Sequence, residues 1–447
     1  MLITNATLVT WESPNRILAS HALFIEGGII REIGKSAQLE KKYPNEEKLD
    51  ARDQLVMPGN ICAHTHFYGA FARGMAIPGE APEDFKQILE KLWWPLDKSL
   101  DEEAVRYSAL TCLVDAVKHG TTTLIDHHAS PNFIDGSLDV IEETVVRAGL
   151  RACLCYEVTD RDGTEKMRAG VRENVRFLTK AKSPLLAATF GLHAPLTLSD
   201  ATLAECRVAA PEGTGYHIHV SESEDDKYSI FDGIKSGGGG WPVDWLNAHG
   251  ILGPRTILAH GVHLDEHEMA QLADTQTWVT HQPRSNMNNA VGVADVEAMF
   301  EKGIKVCLGN DGFSNAMWDE WKATYLLHKI HALDPRKMNG MTVTQMAIYH
   351  NAALADVFFP EARVGQLTVG ATADIIFVDY HSPTELTAGN LPWHILFGFQ
   401  SDLVTTTIVA GNVLMKDRQL VTLDEKEIAA KSRESAAKVW KRYNALF

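Results

Sequence analysis

The sequence predicts an α/β fold: a (β/α)8 TIM barrel of parallel strands, joined to a second, small β-sandwich-like domain formed from both chain ends. Three observations predict it. Through the middle of the chain, short β-branched runs alternate with amphipathic helical stretches. Each of the eight runs that can be counted ends on or beside a His, Asp or Glu. The two ends of the chain, in contrast, both read as short strands with glycine turns.

The elements follow in order. Residues 1–57 hold "MLITNATLVT", "HALFIEGGIIREIG" and "QLVMPG", with Gly27-Gly28 as turn residues. Residues 364–422 hold "VGQLTVGATADIIFVDY" and "TTTIVAGNVLMKDRQLV", with turns at Gly370 and Gly411-Asn412. Neither end has strands enough for a core alone, so one composite domain is expected. Residues 58–363 carry the barrel. Its strands are "NICAHTH" ending at His66, "TTTLIDHH" at His128, "LRACLCYE" at Glu157 and "AATFGLH" at His193. Then come "GYHIHVSE" at Glu222, "TILAHG" at Gly261, "TWVTH" at His281 and "IKVCLGND" at Asp311. Stretches such as "DEEAVRYSALTCLVDAVKHG" and "VADVEAMFEKG" read as the helices between them. "TVTQMAIYHNAALADVFF" reads as a further helix. Residues 423–447 form a C-terminal helix whose apolar stripe packs on the surface. "KSGGGG" at 235–240 reads as a surface loop after the fifth strand.

Composition narrows the function. The chain has 447 residues, 45% apolar and 22% charged, which suits a soluble protein with a sizeable core. Its formal net charge of −16 opposes non-specific attraction to nucleic acid or anionic membranes. Cys62, Cys112, Cys153, Cys155, Cys206 and Cys307 form no CxxC pair and read as reduced, mostly buried thiols of a cytoplasmic protein. The N-terminus lacks the pattern of a signal peptide, and no run approaches the ~18–20 apolar residues of a membrane span.

The chemistry lies at the strand ends, where such barrels build their sites. On a strand, side chains alternate faces, so His64 and His66 point the same way. His217 and His219 repeat that pattern on the fifth strand, with Glu222 just beyond it. A third imidazole from this strand and the carboxylate of Asp311 would complete a metal site. Nitrogen and carboxylate donors without thiolate suit zinc, or iron(II) by the same donors. Glu222 and His260 are then left for proton handling. Competing motifs fail: there is no HExxH, no Walker A, no GxSxG and no PCxxC. Each group has an ordinary structural reading (Asp311-Gly312 is also turn chemistry), but all those readings would have to hold together, in order, on the right strand ends.

The set "HTH", "GLHAP", "HIHVSE", "LAHGVHL", "HQPRSNMN" and "GNDG" resembles the amidohydrolase superfamily, in its cytosine-deaminase-like and chlorohydrolase-type branch. Within it, "LWWPLDKSLDEE", "HGTTTLIDHHASPN" and "RSNMNNAVG" are most similar to the SsnA-type aminohydrolases. The resemblance implies one divalent metal, zinc or iron, held by His64, His66, His219 and Asp311. It implies that Glu222, His260 and Asp311 handle protons on water and substrate, and that His193 faces the ligand. Binuclear members carry a carboxylated lysine at the end of strand four; "AATFGLHAP" has none, which favours one metal. His217 is left over, beside the site or in the core. Tyr68, Arg73, Trp93, Trp94, His128, Arg284 and Asn286 lie near strand ends and could touch substrate, although "LWWPL" also reads as a helix packed on the barrel. The implied activity is hydrolysis of a C–N bond of a small N-heterocycle, with release of ammonia. Loss of another group (amide, imine or chloride) from the same site is the alternative, and a non-catalytic metal-binding protein the more distant one. The partners implied are a small heterocyclic substrate and further copies of the chain, in a dimer or higher oligomer.

Overall fold

The computed structural model describes residues 1–180, 182–231 and 241–447. The "KSGGGG" loop therefore lies outside the described residues.

The middle of the chain forms two parallel sheets. One holds Asn60–Thr65, Thr121–Asp126, Arg151–Leu154 and Leu186–Ala188. The other holds Phe190–Gly191, Tyr216–Val220, Ile257–His260, Trp278–His281 and Val306–Leu308. The fourth expected strand is thus split at Thr189 between the sheets. Thr189 spans that seam: its N–H donates to Leu154 O at 3.1 Å and its hydroxyl to Gly215 O at 2.8 Å. At the opposite seam the N–H groups of Asn310 and Asp311 donate to His64 O at 3.0 and 3.1 Å. His66 N–H donates to Asp311 O at 3.2 Å. These bonds tie the last strand back to the first, so the strand ends converge on one site.

The strands Asn60–Thr65, Thr121–Asp126 and Tyr216–Val220 are buried throughout, as strands of a parallel sheet covered by helices are. The helix Glu102–Lys118 starts where Asp101 caps it, its carboxylate accepting from Ala104 N–H.

The two chain ends form one hydrogen-bonded sheet of nine strands. Leu55–Pro58 is the joint: it pairs parallel with Leu2–Val9 and antiparallel with Ile375–Val378. Ile3, Leu8, Leu23, Val56, Ile375, Phe377 and Ile408 pack its core. Gly27 and Gly28, at φ 59° and 77°, make the two-residue hairpin turn that needs left-handed backbone at both positions. In the C-terminal hairpin that turn is Ala410-Gly411, at φ 46° and 75°, one residue before the expected Gly411-Asn412. Buried Arg151 holds this sheet to the third parallel strand: its guanidinium meets Asp374 at 3.0 and 3.4 Å.

The C-terminal helix Glu425–Asn444 lies against Glu102–Lys118 and braces the loop leaving the first strand. Trp440 Nε1–H donates to Phe71 O at 2.8 Å, and the Tyr443 hydroxyl donates to Lys91 O. Among the described residues no helix is long and apolar enough to cross a membrane. All six cysteines are unpaired and five are buried.

Candidate metal centre and ring pocket

Three imidazoles are oriented by what their Nδ1 atoms meet. His66 Nδ1 donates to the His127 carbonyl at 2.6 Å, and His219 Nδ1 to the His193 carbonyl at 2.9 Å. A carbonyl only accepts, so each Nδ1 carries a proton and Nε2 is the atom each ring turns into the cluster. His64 Nδ1 lies 2.8 Å from His217 Nε2. The Nε2 atoms of His64 and His66 face Asp311, and His219 meets them from the fifth strand. His66 Nε2 is 2.9 Å and His64 Nε2 3.6 Å from Asp311 Oδ1. His66 and His219 Nε2 are 3.2 Å apart.

This donor set fits a divalent metal. His64 is fully buried, yet its Nε2 has no hydrogen-bond partner. His66 and His219 bring their Nε2 atoms together at 3.2 Å, where a shared cation would take the place of a proton. Three nitrogens and a carboxylate, each neutral or anionic as a ligand must be, are a set that zinc takes. His64, His219, His260 and Asp311 each present a donor atom within 4.8 Å of the others. Two further groups are as compact: His66, His127 and His219, and Glu157, His193 and His219. At the latter Arg161 stands 3.6 Å from Glu157, and its charge opposes another cation.

Around this cluster stand the proton-handling candidates. His260 Nδ1 donates to Asn286 Oδ1 at 2.9 Å, and its N–H to Gln282 Oε1 at 3.1 Å. Its Nε2 has no hydrogen-bond partner and lies 3.4 Å from Glu222 Oε2 and 4.0 Å from Asp311 Oδ2. Burial and the Asp311 carboxylate push the Glu222 carboxyl well above its ordinary range. Asn289 Nδ2 donates to its Oε1 at 3.2 Å. Burial acts to raise Asp311 as well, but the His64 and His66 imidazoles beside it hold it well below the usual carboxylate range. Asp311 Oδ2 accepts from the Ser285 hydroxyl at 2.5 Å. Ser221, His260 and Asp311 have φ of 52°, 75° and 56°. Left-handed backbone at three non-glycine strand ends is the local strain that functional sites tolerate.

A cavity opens over the cluster. His193, Tyr68, Trp93 and Trp94 line it, as expected, together with Phe85, Leu89 and Leu196. His193 donates from Nδ1 to Thr197 Oγ1 at 2.5 Å and turns Nε2 toward Glu157, 3.4 Å away. Behind the wall Arg161 pairs with Asp97 at 2.9 Å and lies 5.0 Å over Trp94. Burial acts to raise Glu157, but His193 and His127 hold it well below the usual range. Asp97 is pushed up to about 7 by burial, against the pull of Arg161.

Some sequence candidates stand elsewhere. His128 bonds Ser130 Oγ at 2.9 Å and is not part of the cavity wall; its neighbour His127 faces the cluster instead. Arg284 pairs with Glu320 at 2.6 Å and stacks on Phe313, away from the ring pocket. Arg73 lines a separate outer cavity. Asn286 acts only through His260. Sequence reasoning missed His127, Arg161, Asp97, Ser285 and Asn289. For the last two a signal existed: they lie four residues apart, on one face of a helical turn.

A buried cluster of potential metal donors at the ends of parallel strands, with a buried carboxyl of raised pKa beside it, defines a metal-dependent hydrolase site. The sequence comparisons agree with that class. The amidohydrolase family model matches residues 55–414, and the chain belongs to that family. It is 30% identical to a 5-methylthioadenosine/S-adenosylhomocysteine deaminase of Pelotomaculum thermopropionicum, over 99% of each chain. It is 31% identical to a 5'-deoxyadenosine deaminase of Methanosarcina mazei, over 100% of this chain and 99% of that one. Among solved structures, a zinc-bound adenosine deaminase from Xanthomonas campestris superposes with a TM-score of 0.83 at 22% identity, over 98% of each chain. The zinc-bound atrazine chlorohydrolase TrzN of Arthrobacter aurescens follows at 0.80 and 20%, over 97% of this chain and 99% of that one. At those identities the two structures speak to the fold, and both accord with a TIM barrel.

Proposed function

We propose that this chain is a metal-dependent aminohydrolase that releases ammonia from a small N-heterocycle. The observation that carries it is the gathering of buried imidazoles about Asp311, beside the Glu222 carboxyl that burial pushes well above its ordinary range. His64, His66, His219 and Asp311 would hold the ion, and zinc suits the donors best. When bound, such an ion lowers the pKa of a coordinated water toward neutrality.

The protein groups do the rest. Glu222, whose carboxyl burial pushes well above its ordinary range, would pass a proton to a ring nitrogen and so make the adjacent carbon electrophilic. His260 Nε2, a lone-pair acceptor, orients the water. Asp311 Oδ2 would take one proton of the attacking water and deliver it to the amine as the C–N bond breaks, and the hydroxyl proton left on the ring carbon would return to Glu222, leaving C=O and N–H on the ring and ammonia free. His193 and the aromatic wall of Tyr68, Trp93 and Trp94 hold the ring, and the wall keeps bulk water out. A protonated carboxyl aimed at an amidine-like nitrogen favours deamination over loss of chloride. The relatives, named as deaminases of adenosine derivatives, support a substrate of the purine kind. The same reading divides the chain as the sequence suggests: a barrel over 58–363, a composite β-domain from 1–57 and 364–422, and the helix 423–447. It also takes the functional unit to be a homo-oligomer.

Metal analysis of the purified protein, followed by ammonia release across aminated purines, pterins and pyrimidines, tests the proposal. One equivalent of zinc or iron with ammonia from at least one ring is expected. Bound metal with no hydrolysis product from any ring would refute it. His66→Ala should strip the metal, and full retention would refute that ligand.

A further inference from the structure

The ring pocket ends at Trp93. This half-buried indole lines two cavities, which also share Asn289 and Asp311. The inner one is the pocket over the metal cluster. The outer one is faced by Arg73, Ser285, Asn288, Phe313 and Ser314. Trp93 fills a slot left by two glycines. A Cβ at Gly312 would come 3.2 Å from its ring edge, and one at Gly69 3.5 Å. Gly69 belongs to the loop after the first strand, and Gly312 directly follows Asp311. The indole therefore bridges the loops of the first and eighth strands, beside the proposed ligand. Its turn, Leu89–Trp93, is braced from behind by the Tyr443 hydroxyl on Lys91 O.

The chambers also differ in charge. Asp97, Glu157, Glu222, Asp226 and Asp311 line the inner one, and no Lys or Arg is among its described lining residues. Apart from a metal ion held at Asp311, an anionic substituent would find no Lys or Arg on that lining to pair with. A neutral or cationic ring with N–H donors would find acceptors. Arg73 lies beyond Trp93, in the outer chamber.

We propose that Trp93 is the specificity-determining wall of this site. It confines the substrate to the inner chamber and so selects an unphosphorylated, N–H-bearing ring without a long substituent. A 5'-extended nucleoside would need the space that the indole occupies. This rests on the aminohydrolase reading, and it separates this chain from relatives named for 5'-substituted adenosines.

The test compares kcat/KM for bare aminated rings (adenine, guanine, cytosine) with that for adenosine, 5'-deoxyadenosine and 5'-methylthioadenosine. The metal-loaded wild type, Trp93→Phe and Trp93→Ala are assayed, with folding checked by circular dichroism and metal content. The wild type should favour a bare ring. Trp93→Ala should shift the nucleoside-to-ring ratio toward the nucleoside by roughly tenfold or more, mainly through KM, with Trp93→Phe in between. A folded Trp93→Ala with an unmoved ratio overturns the proposal. So does a wild type that prefers the 5'-substituted nucleosides, even if Trp93→Ala does not fold. Failure of the wild type to release ammonia from any compound would instead sink the aminohydrolase reading, and this inference with it.

Discussion

His217 gives the sharpest test of the metal centre. It is fully buried, with Nε2 2.8 Å from His64 Nδ1 and Nδ1 4.0 Å from Cys155 Sγ. The Cys155 thiol in turn donates to Asp126 O at 3.4 Å. That carbonyl fixes the direction of the chain. Cys155 gives its proton to the backbone, accepts from His217 Nδ1–H, and leaves His217 Nε2 to accept from His64 Nδ1–H. The reverse order would place a proton on His64 Nε2, the atom that faces Asp311, and would block ligation. His217→Phe keeps the bulk and removes the acceptor. It strands a buried N–H, which costs about 1–3 kcal/mol. Loss of such an outer partner typically weakens metal binding by about 10–100-fold, or roughly 1.4–2.7 kcal/mol. The two routes agree in size. A zinc competition titration with a chromophoric chelator should show that loss in His217→Phe, and recovery of a good part of it in His217→Gln, whose amide oxygen can accept. At saturating zinc, KM should stay near the wild-type value. Zinc affinity in His217→Phe equal to that of the wild type would refute the argument.

Three further outcomes follow from the structure. Glu222→Gln should keep its metal and lose about 10²–10⁴-fold in kcat. Because the Glu222 carboxyl is held above its ordinary range, wild-type activity should persist through neutrality and fall as alkali removes its proton; a profile flat into the alkaline range refutes the general-acid role. Burial pushes the His128 imidazole down to about 3, from an ordinary 6.5. Between those values the unfolded chain binds a proton that the folded one does not, so stability falls as pH drops below about 6.5. The urea midpoint of metal-free His128→Asn should fall less between pH 7 and pH 5 than that of the wild type, and an equal fall refutes the assignment. Arg151→Ala strands the buried Asp374 carboxylate and should cost about 3–5 kcal/mol in thermal unfolding, with part recovered in Arg151→Met/Asp374→Asn. Full stability of the single variant would show that the pair does not join sheet and barrel.

The strand-end rule made much of the site legible. His64, His66, His193, His219, Glu222, His260 and Asp311 stand together where eight runs ending in His and acids said they would. Loops were less legible, because their phase is not written in alternation. In "HQPRSNMN" the sequence pointed to Arg284 and Asn286. The chain turns into the short helix Pro283–Asn288, which aims Ser285 at Asp311 and Arg284 at Glu320, on different sides. In "IDHH" the strand ends at Asp126, so His127 turns to the cluster and His128 packs outside. At the fourth strand, a single run of β-branched and small residues concealed a break at Thr189, where two sheets meet.

The largest omission has a geometric cause. Two of the three proposed imidazole ligands are oriented by backbone carbonyls of the neighbouring strand: His66 by His127, and His219 by His193. In a parallel sheet the adjacent strand end always brings a carbonyl within reach, whatever its side chain, so no motif records it. His64 sits deeper and faces across the interior, where no backbone reaches its Nδ1. Only a side chain from the opposite strand can, and the fifth strand supplies it two residues before its own ligand. The repeated His-x-His of strands one and five is therefore not two copies of one device. The first pair offers two ligands, whereas the second offers one ligand and the acceptor that orients a ligand of the first.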